Sequence, residues 1–240
     1  VDTSDENYDN DYAEMDEKMH KAISIIQFKL EGQLIQKYPE WDMSGRLLLD
    51  KMDLEKGTIV VEGKTYELKE KYFPTVDPAH PYELTPEERE VVKRLRASFL
   101  NSERLQKHMR FLLEKGGFYK VYNGNLLYHG CVPLNEDGSF KEVNIYGKKY
   151  KGKALYDILE HYVRKGFYSL EPEEREKGRD IMWFIWKNKN SPVFGKEKMT
   201  TFERYFIRDK KTHEEPKNPY YRLCEKEEVV NKILEEFGLP

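Results

Sequence analysis

The segment Phe118-Tyr-Lys-Val-Tyr-Asn-Gly-Asn-Leu-Leu-Tyr-His-Gly-Cys-Val-Pro133 carries the strongest hairpin signal in the chain. Its centre, Asn123-Gly124, is the dipeptide that tight hairpin turns prefer, because such turns need a positive φ at both central residues. The aromatic and β-branched residues on either side predict two antiparallel strands, 118–122 and 125–129. The segment therefore predicts a hairpin whose second strand ends at His129.

His129 differs from the other histidines because it ends an apolar strand and precedes Gly130. A histidine at this place projects from a rigid strand end into a loop, and glycine lets backbone or ligand approach closely. Two interpretations are open: a ligand, or a core histidine satisfied by hydrogen bonds. The other histidines lie on predicted helices or in polar loops, and no pair has the H-x-x-x-H spacing of a metal site on one helix.

Helical patterns extend outward from the hairpin in both directions. Met15, Met19, Ile23, Ile26 and Leu30 recur at three- and four-residue steps, and Pro39 marks the end of that helix. Ser44 could cap a short helix that ends near Gly57. After the hairpin, apolar spacing predicts four helices, which are 153–165, 172–186, 201–207 and 226–237.

A long helix is predicted immediately before the hairpin. Thr85-Pro86-Glu87-Glu88 has the pattern of a capping box, with a proline at the first helical position. The helix could run for about 30 residues to Gly116-Gly117, unless the step at Asn101-Ser102 breaks it. Its predicted buried face consists of Val92, Leu95, Phe99, Leu105, Met109 and Leu112.

Two further hairpins complete the predicted elements. Thr58-Ile-Val-Val and Thr65-Tyr-Glu-Leu flank Glu62-Gly63-Lys64, and residues 140–150 form a second small hairpin about Gly147. The order helix, hairpin, long helix, sheet, helices predicts an α+β fold or an incomplete α/β fold, rather than a regular βαβ series. Three regions follow: an acidic mobile head (1–17), a mainly helical region with a small hairpin (18–117), and a sheet with covering helices (118–240).

The composition excludes several functional classes. With 41 basic and 44 acidic residues among 240, the net charge of -3 creates no overall field for nucleic acid or an anionic membrane. The longest apolar run, Ile181 to Trp186, is too short to span a bilayer. Two cysteines without a framework spacing indicate reduced thiols, and the expected compartment is the cytoplasm. The start at Val1 and the end at Pro240 suggest an internal piece of a longer protein.

The hairpin and several distant blocks resemble a known family. The strand followed by His129-Gly130-Cys131-x-Pro133 resembles the His-Gly-Gly-Leu-Ser-Pro step of calcineurin-like metallophosphatases, in which the histidine binds one of two metals. The wider set resembles class III, Firmicutes-type fructose-1,6-bisphosphatase from about Lys18 to the C-terminus. It consists of Phe28-Lys-Leu, Tyr122 to Pro133, Phe194-Gly-Lys, Met199 to Ile207 and Lys217-Asn-Pro-Tyr-Tyr221.

The resemblance implies an incomplete part of an α/β/β/α metallophosphatase sandwich with a helical insert. It implies His129 as the sole metal ligand of this chain, no catalytic residue in it, and a two-metal site of manganese or magnesium in the intact enzyme. The family's other metal motifs (D-x-H, G-D-x-x-D-R-G, G-N-H-D and G-H-x-P) would lie before Val1 or after Pro240. One histidine cannot hold two ions, so the chain alone should be inactive.

For the intact protein, the resemblance implies hydrolysis of the 1-phosphate of fructose 1,6-bisphosphate in gluconeogenesis. The expected partners are that substrate and the remainder of the parent chain, and a homo-oligomer is an open alternative. The rival interpretation of the sequence is a non-catalytic interaction or regulatory module. Flanking sequence with the missing metal motifs would decide between the two.

Basic residues near the C-terminal loops are candidate phosphate contacts. Lys196, Lys198 and Arg204 could pair with phosphate oxygens, and the alternative is ordinary surface charge. Trp183 and Trp186, with Phe184 and Tyr205, could form the floor of a sugar pocket or part of the core.

Overall fold

The computed structural model describes residues 10–240, with side chains from residue 14 onward. The chain forms two compact units, which divide between Asn101 and Ser102. The helices are α1 (Asn10–Lys37), α2 (Pro86–Asn101), α3 (Glu103–Lys115), α4 (Gly152–Tyr168), α5 (Pro172–Lys187), α6 (Thr201–Phe206), α7 (Tyr220–Leu223) and α8 (Glu227–Glu236). The strands are β1 (Met52–Asp53), β2 (Thr58–Val61), β3 (Lys64–Glu67), β4 (Tyr119–Tyr122), β5 (Asn125–Tyr128), β6 (Val143–Ile145) and β7 (Lys148–Tyr150).

Helix α1 of the first unit confirms the helix predicted before Pro39. It begins at Asn10, so residues 10–17 of the predicted mobile head are helical, while residues 1–9 lie outside the described part. Of the predicted apolar stripe, Ile26 is buried, whereas Met15, Met19 and Ile23 are exposed. Ile25 and Ile35, outside the predicted stripe, are also buried. The predicted boundary at residue 17 therefore does not coincide with the start of the helix.

The segment from Ser44 to Met52 differs from its prediction. It forms two 3-10 turns, Ser44–Arg46 and Leu49–Lys51, followed by β1, and Ser44 does not act as a side-chain cap. β1 pairs with β2, and this strand pairing takes the place of a helix. The β2–β3 hairpin is confirmed, with Glu62 and Gly63 both at positive φ in its two-residue turn.

A buried ion pair joins α1 to the start of α2. Lys29 Nζ donates to Glu88 Oε2 at 2.7 Å and to the carbonyl oxygen of Thr75 at 2.5 Å. The capping box is confirmed, because Thr85 N–H donates to Glu88 Oε2 at 2.9 Å and Glu88 N–H donates to Thr85 Oγ1 at 3.2 Å. Glu88 thus caps the helix and neutralises the Lys29 ammonium group at the same time.

The predicted long helix is interrupted at Ser102. Ser102 has an extended backbone, and its Oγ accepts from Leu105 N–H at 3.4 Å, which starts α3 as a separate helix. The predicted buried face is wrong, since Phe99 is 62% exposed and Leu112 is 58% exposed, while Leu113 is buried. The compact units divide between Asn101 and Ser102, and the predicted regions 18–117 and 118–240 stay a prediction.

The second unit is built on α4 and α5. These helices approach closely where Gly166 meets Gly178, because a Cβ on Gly178 would lie 2.2 Å from Gly166 N. Tyr156 on α4 is fully buried among the side chains of Val132, Leu134, Leu223, Ile233 and Phe237. Glu236 accepts from Lys153 N–H at 2.9 Å and so connects α8 to the start of α4.

The β4–β5 hairpin has the predicted turn, and each strand is one residue shorter than predicted, so that β5 ends at Tyr128 rather than at His129. Asn123 and Gly124 both have positive φ, and Tyr119 pairs with Tyr128 at the base of the hairpin. The 140–150 hairpin is likewise confirmed as β6–β7. The described residues thus form three antiparallel sheets, of three, two and two strands, among predominantly helical elements, which confirms the α+β class.

None of the helices in residues 10–240 combines the length and apolar character that crossing a bilayer requires.

Candidate active-site cavity

The loop after β5 is held in place by contacts that only glycine permits. Gly130 has φ +85°, and a Cβ at this position would lie 2.2 Å from the carbonyl oxygen of Pro192. Cys131 N–H donates to that carbonyl at 2.7 Å, and Tyr156 Oη donates to the carbonyl oxygen of Cys131 at 2.8 Å. The backbone immediately after residue 129 is therefore fixed by hydrogen bonds to Pro192 and Tyr156.

His129 occupies that position with its side chain exposed. The alternative of a buried core histidine is wrong, because the buried residues begin only at Cys131. Across residues 10–240, no protein group hydrogen-bonds or pairs with the His129 imidazole. The imidazole nitrogens are accordingly open to a ligand, and the metal-ligand assignment stays a prediction.

His129 lines a cavity of about 1040 Å³, hereafter the His129 cavity. The cavity lies between the end of α3, the β4–β5 hairpin and α4. Its acidic, basic and histidine lining consists of Lys115, Lys120, His129, Asp157, Glu160, His161 and Arg164. Its volume suits a ligand of small-molecule size.

Arg164 and Glu160 of α4 fix two walls of this cavity. Arg164 Nη2 donates to Glu160 Oε1 at 2.6 Å and to the carbonyl oxygen of Gly116 at 3.0 Å, and Nη1 donates to the carbonyl oxygen of Leu113. Glu160 Oε2 accepts from Phe118 N–H at 3.2 Å. The C-terminal end of α3 and the start of β4 are therefore both attached to α4.

Two tyrosines secure the inner face of the hairpin. Tyr119 Oη donates to Asp157 Oδ1 at 3.0 Å, and the hydroxyls of Tyr128 and Tyr220 are 2.5 Å apart. Burial raises the pKa of Tyr128, so this hydroxyl stays protonated at neutral pH. Both tyrosines also make edge contacts with the buried Tyr156 ring. The hairpin is thus packed on one face only.

The predicted phosphate contacts lie elsewhere, in a group centred on Glu215. Lys196 Nζ donates to Glu215 Oε2 at 2.6 Å, and Thr200 N–H donates to Glu215 Oε1 at 2.9 Å. Partial burial opposes ionisation of Glu215, but hydrogen bonds from Lys196 and Thr200 outweigh it and lower the pKa to about 2. Arg204 donates from Nε to Thr200 Oγ1 and from Nη2 to the carbonyl oxygen of His213.

The His129 cavity is not lined by Lys196, Lys198 or Arg204. Lys198 is half-buried. The predicted sugar floor is also dispersed, since Phe184 is buried in the core whereas Trp186 is 69% exposed. Neither aromatic residue lines the cavity. The structure therefore separates these residues from His129, and their role as substrate contacts stays a prediction.

Sequence reasoning missed the cations of the cavity itself. Lys120 lies directly opposite Leu127 in the β4–β5 register, so it is on the same face of the hairpin as the strand residue two positions before His129. That signal was available in the sequence. Lys115 and Arg164 come from other elements, and no local pattern connects them to His129.

The residues present do not complete a metal centre. Over the part of the chain that the structure describes, no group of three or more His, Cys, Asp or Glu side chains could hold an ion. A two-metal phosphatase site needs several such ligands. Among the described residues, His129 is the ligand candidate, and no step of a reaction follows from these residues alone.

The whole chain, residues 1–240, matches the family model described as Firmicute fructose-1,6-bisphosphatase. Curated relatives with the name fructose-1,6-bisphosphatase class 3 include proteins of Clostridium tetani, with 54% identity over 98% of this chain, and Clostridioides difficile, with 56% identity over 92%. The matches cover 35% and 34% of those proteins, so the chain spans about a third of their length. No solved structure matches the chain. The chain therefore belongs, over its whole length, to the Firmicute fructose-1,6-bisphosphatase family.

Proposed function

We propose that this chain supplies the His129-bearing part of a metal-dependent phosphatase that hydrolyses the 1-phosphate of fructose 1,6-bisphosphate in gluconeogenesis. The observation that carries the proposal is the family match over all 240 residues. An exposed imidazole at a rigid strand end, within a cavity of small-molecule size, is the local support. The product would be a sugar monophosphate, and the enzyme a phosphoric monoester hydrolase.

The proposal assigns the remaining metal ligands to the rest of the parent polypeptide. A pair of divalent ions, manganese or magnesium, would activate water and neutralise charge at the transferred phosphoryl group. Within this chain, the contact of Gly130 and Cys131 with Pro192 orients His129 toward that centre. The proposed compartment is the cytoplasm, and a homo-oligomer remains part of the proposal without a residue assigned to it.

An exposed face of the hairpin supports an association of this chain with the rest of its parent protein. The outward face of the β4–β5 hairpin exposes 67% of Tyr122 and 54% of Leu127. A two-stranded hairpin with one open apolar face is marginal in water and gains stability from a further layer or strand. We therefore infer that the hairpin joins a larger sheet, of the metallophosphatase sandwich type, in the parent protein.

The test is replacement of His129 by Ala in the full-length family protein, with His108→Ala as the matched control. His108 is an exposed histidine of α3 and does not line the cavity. We expect His129→Ala to abolish phosphate release and lower bound manganese per chain, while the unfolding midpoint of the metal-free protein stays unchanged. Normal metal content with a lowered midpoint would refute the ligand assignment.

A further inference from the structure

We propose that Lys115 and Lys120 form the subsite that binds the phosphate of the substrate that is not hydrolysed, the 6-phosphate. This inference rests on the proposed function, because it treats the His129 cavity as the place where a sugar bisphosphate binds. It assigns substrate recognition to cations that lie in the cavity, in place of Lys196, Lys198 and Arg204.

The first argument is that both lysines are uncommitted. Lys115 ends α3 and Lys120 lies in β4, and both are exposed and line the His129 cavity. Across the described residues 10–240, neither ammonium group forms an ion pair or hydrogen bond. Lys120 Nζ lies 5.6 Å from the centroid of the Tyr122 ring, a contact that leaves its N–H donors available.

The second argument is that the carboxylates of the cavity are already neutralised. Glu160 is paired with Arg164 and also accepts from Phe118 N–H. Asp157 accepts from Lys153 Nζ at 2.7 Å and from Tyr119 Oη at 3.0 Å. Because Asp157, Glu160 and Arg164 already have partners, the ammonium groups of Lys115 and Lys120 give the cavity positive charge that no carboxylate in the described part of the chain compensates. Phosphate oxygens are the natural partners of such ammonium groups.

The third argument is the strand register. Lys120 pairs with Leu127 in β5, whose last residue is Tyr128, and His129 follows that strand directly. Lys120 and His129 both line the His129 cavity. A hexose bisphosphate carries its phosphates at opposite ends of the sugar. A long lysine side chain beside the strand that leads to the ligand imidazole can therefore contact the end that does not react.

Lys196 and Arg204, two of the basic residues predicted as phosphate contacts, are less suited to bind the 6-phosphate. Lys196 is held by Glu215, and the Arg204 guanidinium is hydrogen-bonded to Thr200 and His213. The Lys196 charge is therefore already compensated by Glu215, and two of the five N–H donors of Arg204 are engaged. Lys115 and Lys120 have no such competition.

The experiment uses the full-length family protein with Lys115→Ala, Lys120→Ala, the double variant and the charge reversal Lys120→Glu. Lys148→Ala is the matched control, since Lys148 is an exposed lysine on β7 outside the cavity. Two quantities are measured: kcat/KM for fructose 1,6-bisphosphate, and Kd of fructose 6-phosphate for the metal-free protein by calorimetric titration. Fructose 6-phosphate carries only the phosphate assigned to the subsite, so its Kd does not depend on turnover.

We expect each single alanine variant to lose about tenfold in both quantities, as one charge-assisted hydrogen bond predicts. The double variant and Lys120→Glu should lose more, while bound manganese per chain and Lys148→Ala stay at the wild-type value. Wild-type kcat/KM and Kd in the double variant would overturn the subsite and leave the proposed function standing. If the wild-type protein released no phosphate, the proposed function would fail, and the fructose 6-phosphate titration would still decide the subsite.

Discussion

Glu88→Gln should destabilise the first unit far more than an exposed charge change would. The Lys29 side chain is 0% exposed, and the Glu88 carboxylate lies 2.7 Å from its ammonium group. The substitution keeps the side-chain shape and an oxygen for Thr85 N–H, but leaves a buried ammonium group without a counter-charge. Breaking one side of a buried pair costs about 3–5 kcal/mol. We expect about 3 kcal/mol, because the Thr75 carbonyl remains as a partner of Lys29.

The assay is equilibrium urea unfolding of the 240-residue chain, followed by the fluorescence of the buried Trp41. Trp183→Phe and Trp186→Phe in the background restrict the signal to the first unit. The control is Glu90→Gln, which removes exposed pairs of Glu90 with Lys93 and Arg94 on the same helix and should change the free energy of unfolding by less than about 1 kcal/mol. If Glu88→Gln lowered the free energy of unfolding by no more than Glu90→Gln does, the stabilising role of the buried pair would be refuted.

The pH dependence gives a second test of the same pair. Burial opposes ionisation of Glu88, but hydrogen bonds from Lys29, Thr75 and Thr85 keep its pKa below the ordinary value of 4.5. A depressed carboxyl pKa stabilises the folded state above about pH 4.5, and that contribution is lost as pH falls through the folded-state value. The wild-type advantage over Glu88→Gln should therefore be full at pH 7 and shrink toward pH 3. An advantage that does not change with pH would exclude this origin.

Three further outcomes are expected. Residues 1–240 alone should release no phosphate from fructose 1,6-bisphosphate with added manganese, and turnover on the order of 1 per second would contradict the need for further ligands. Gly130→Ala should destabilise the chain by about 1–3 kcal/mol in thermal unfolding, because of the positive φ and the Pro192 carbonyl; an unchanged midpoint would disprove the fit. Glu215→Gln should lower the unfolding midpoint at pH 7, because the ionised Glu215 carboxylate, whose pKa is lowered to about 2, stabilises the folded state above its ordinary pKa of 4.5. The loss should become smaller as pH falls toward 2 and the carboxylate takes up a proton. A midpoint difference that persists at pH 2 would argue against the Lys196 pair as its source.

Local signals in the sequence were sufficient for the turns and helix starts. Asn123-Gly124 and Glu62-Gly63 specify hairpins because the sign of φ is a property of the turn residues themselves. Thr85 to Glu88 specifies a helix start because its two hydrogen bonds join residues three apart. Where a competing signal acted over a longer range, as in the β1–β2 pairing after Ser44, the local prediction of a helix was wrong.

The sequence by itself determined the family, the α+β class, the turn of the hairpin that precedes His129 and the reason for a glycine after His129. Only the tertiary structure decided that His129 is exposed, that Phe99 and Leu112 are not core residues, and that Lys196 is already paired with Glu215. It also decided that Lys115 and Lys120 share a cavity with His129. The physical reason is separation along the chain: turns and caps depend on residues within a few positions, whereas burial and charge pairing depend on which distant segments meet.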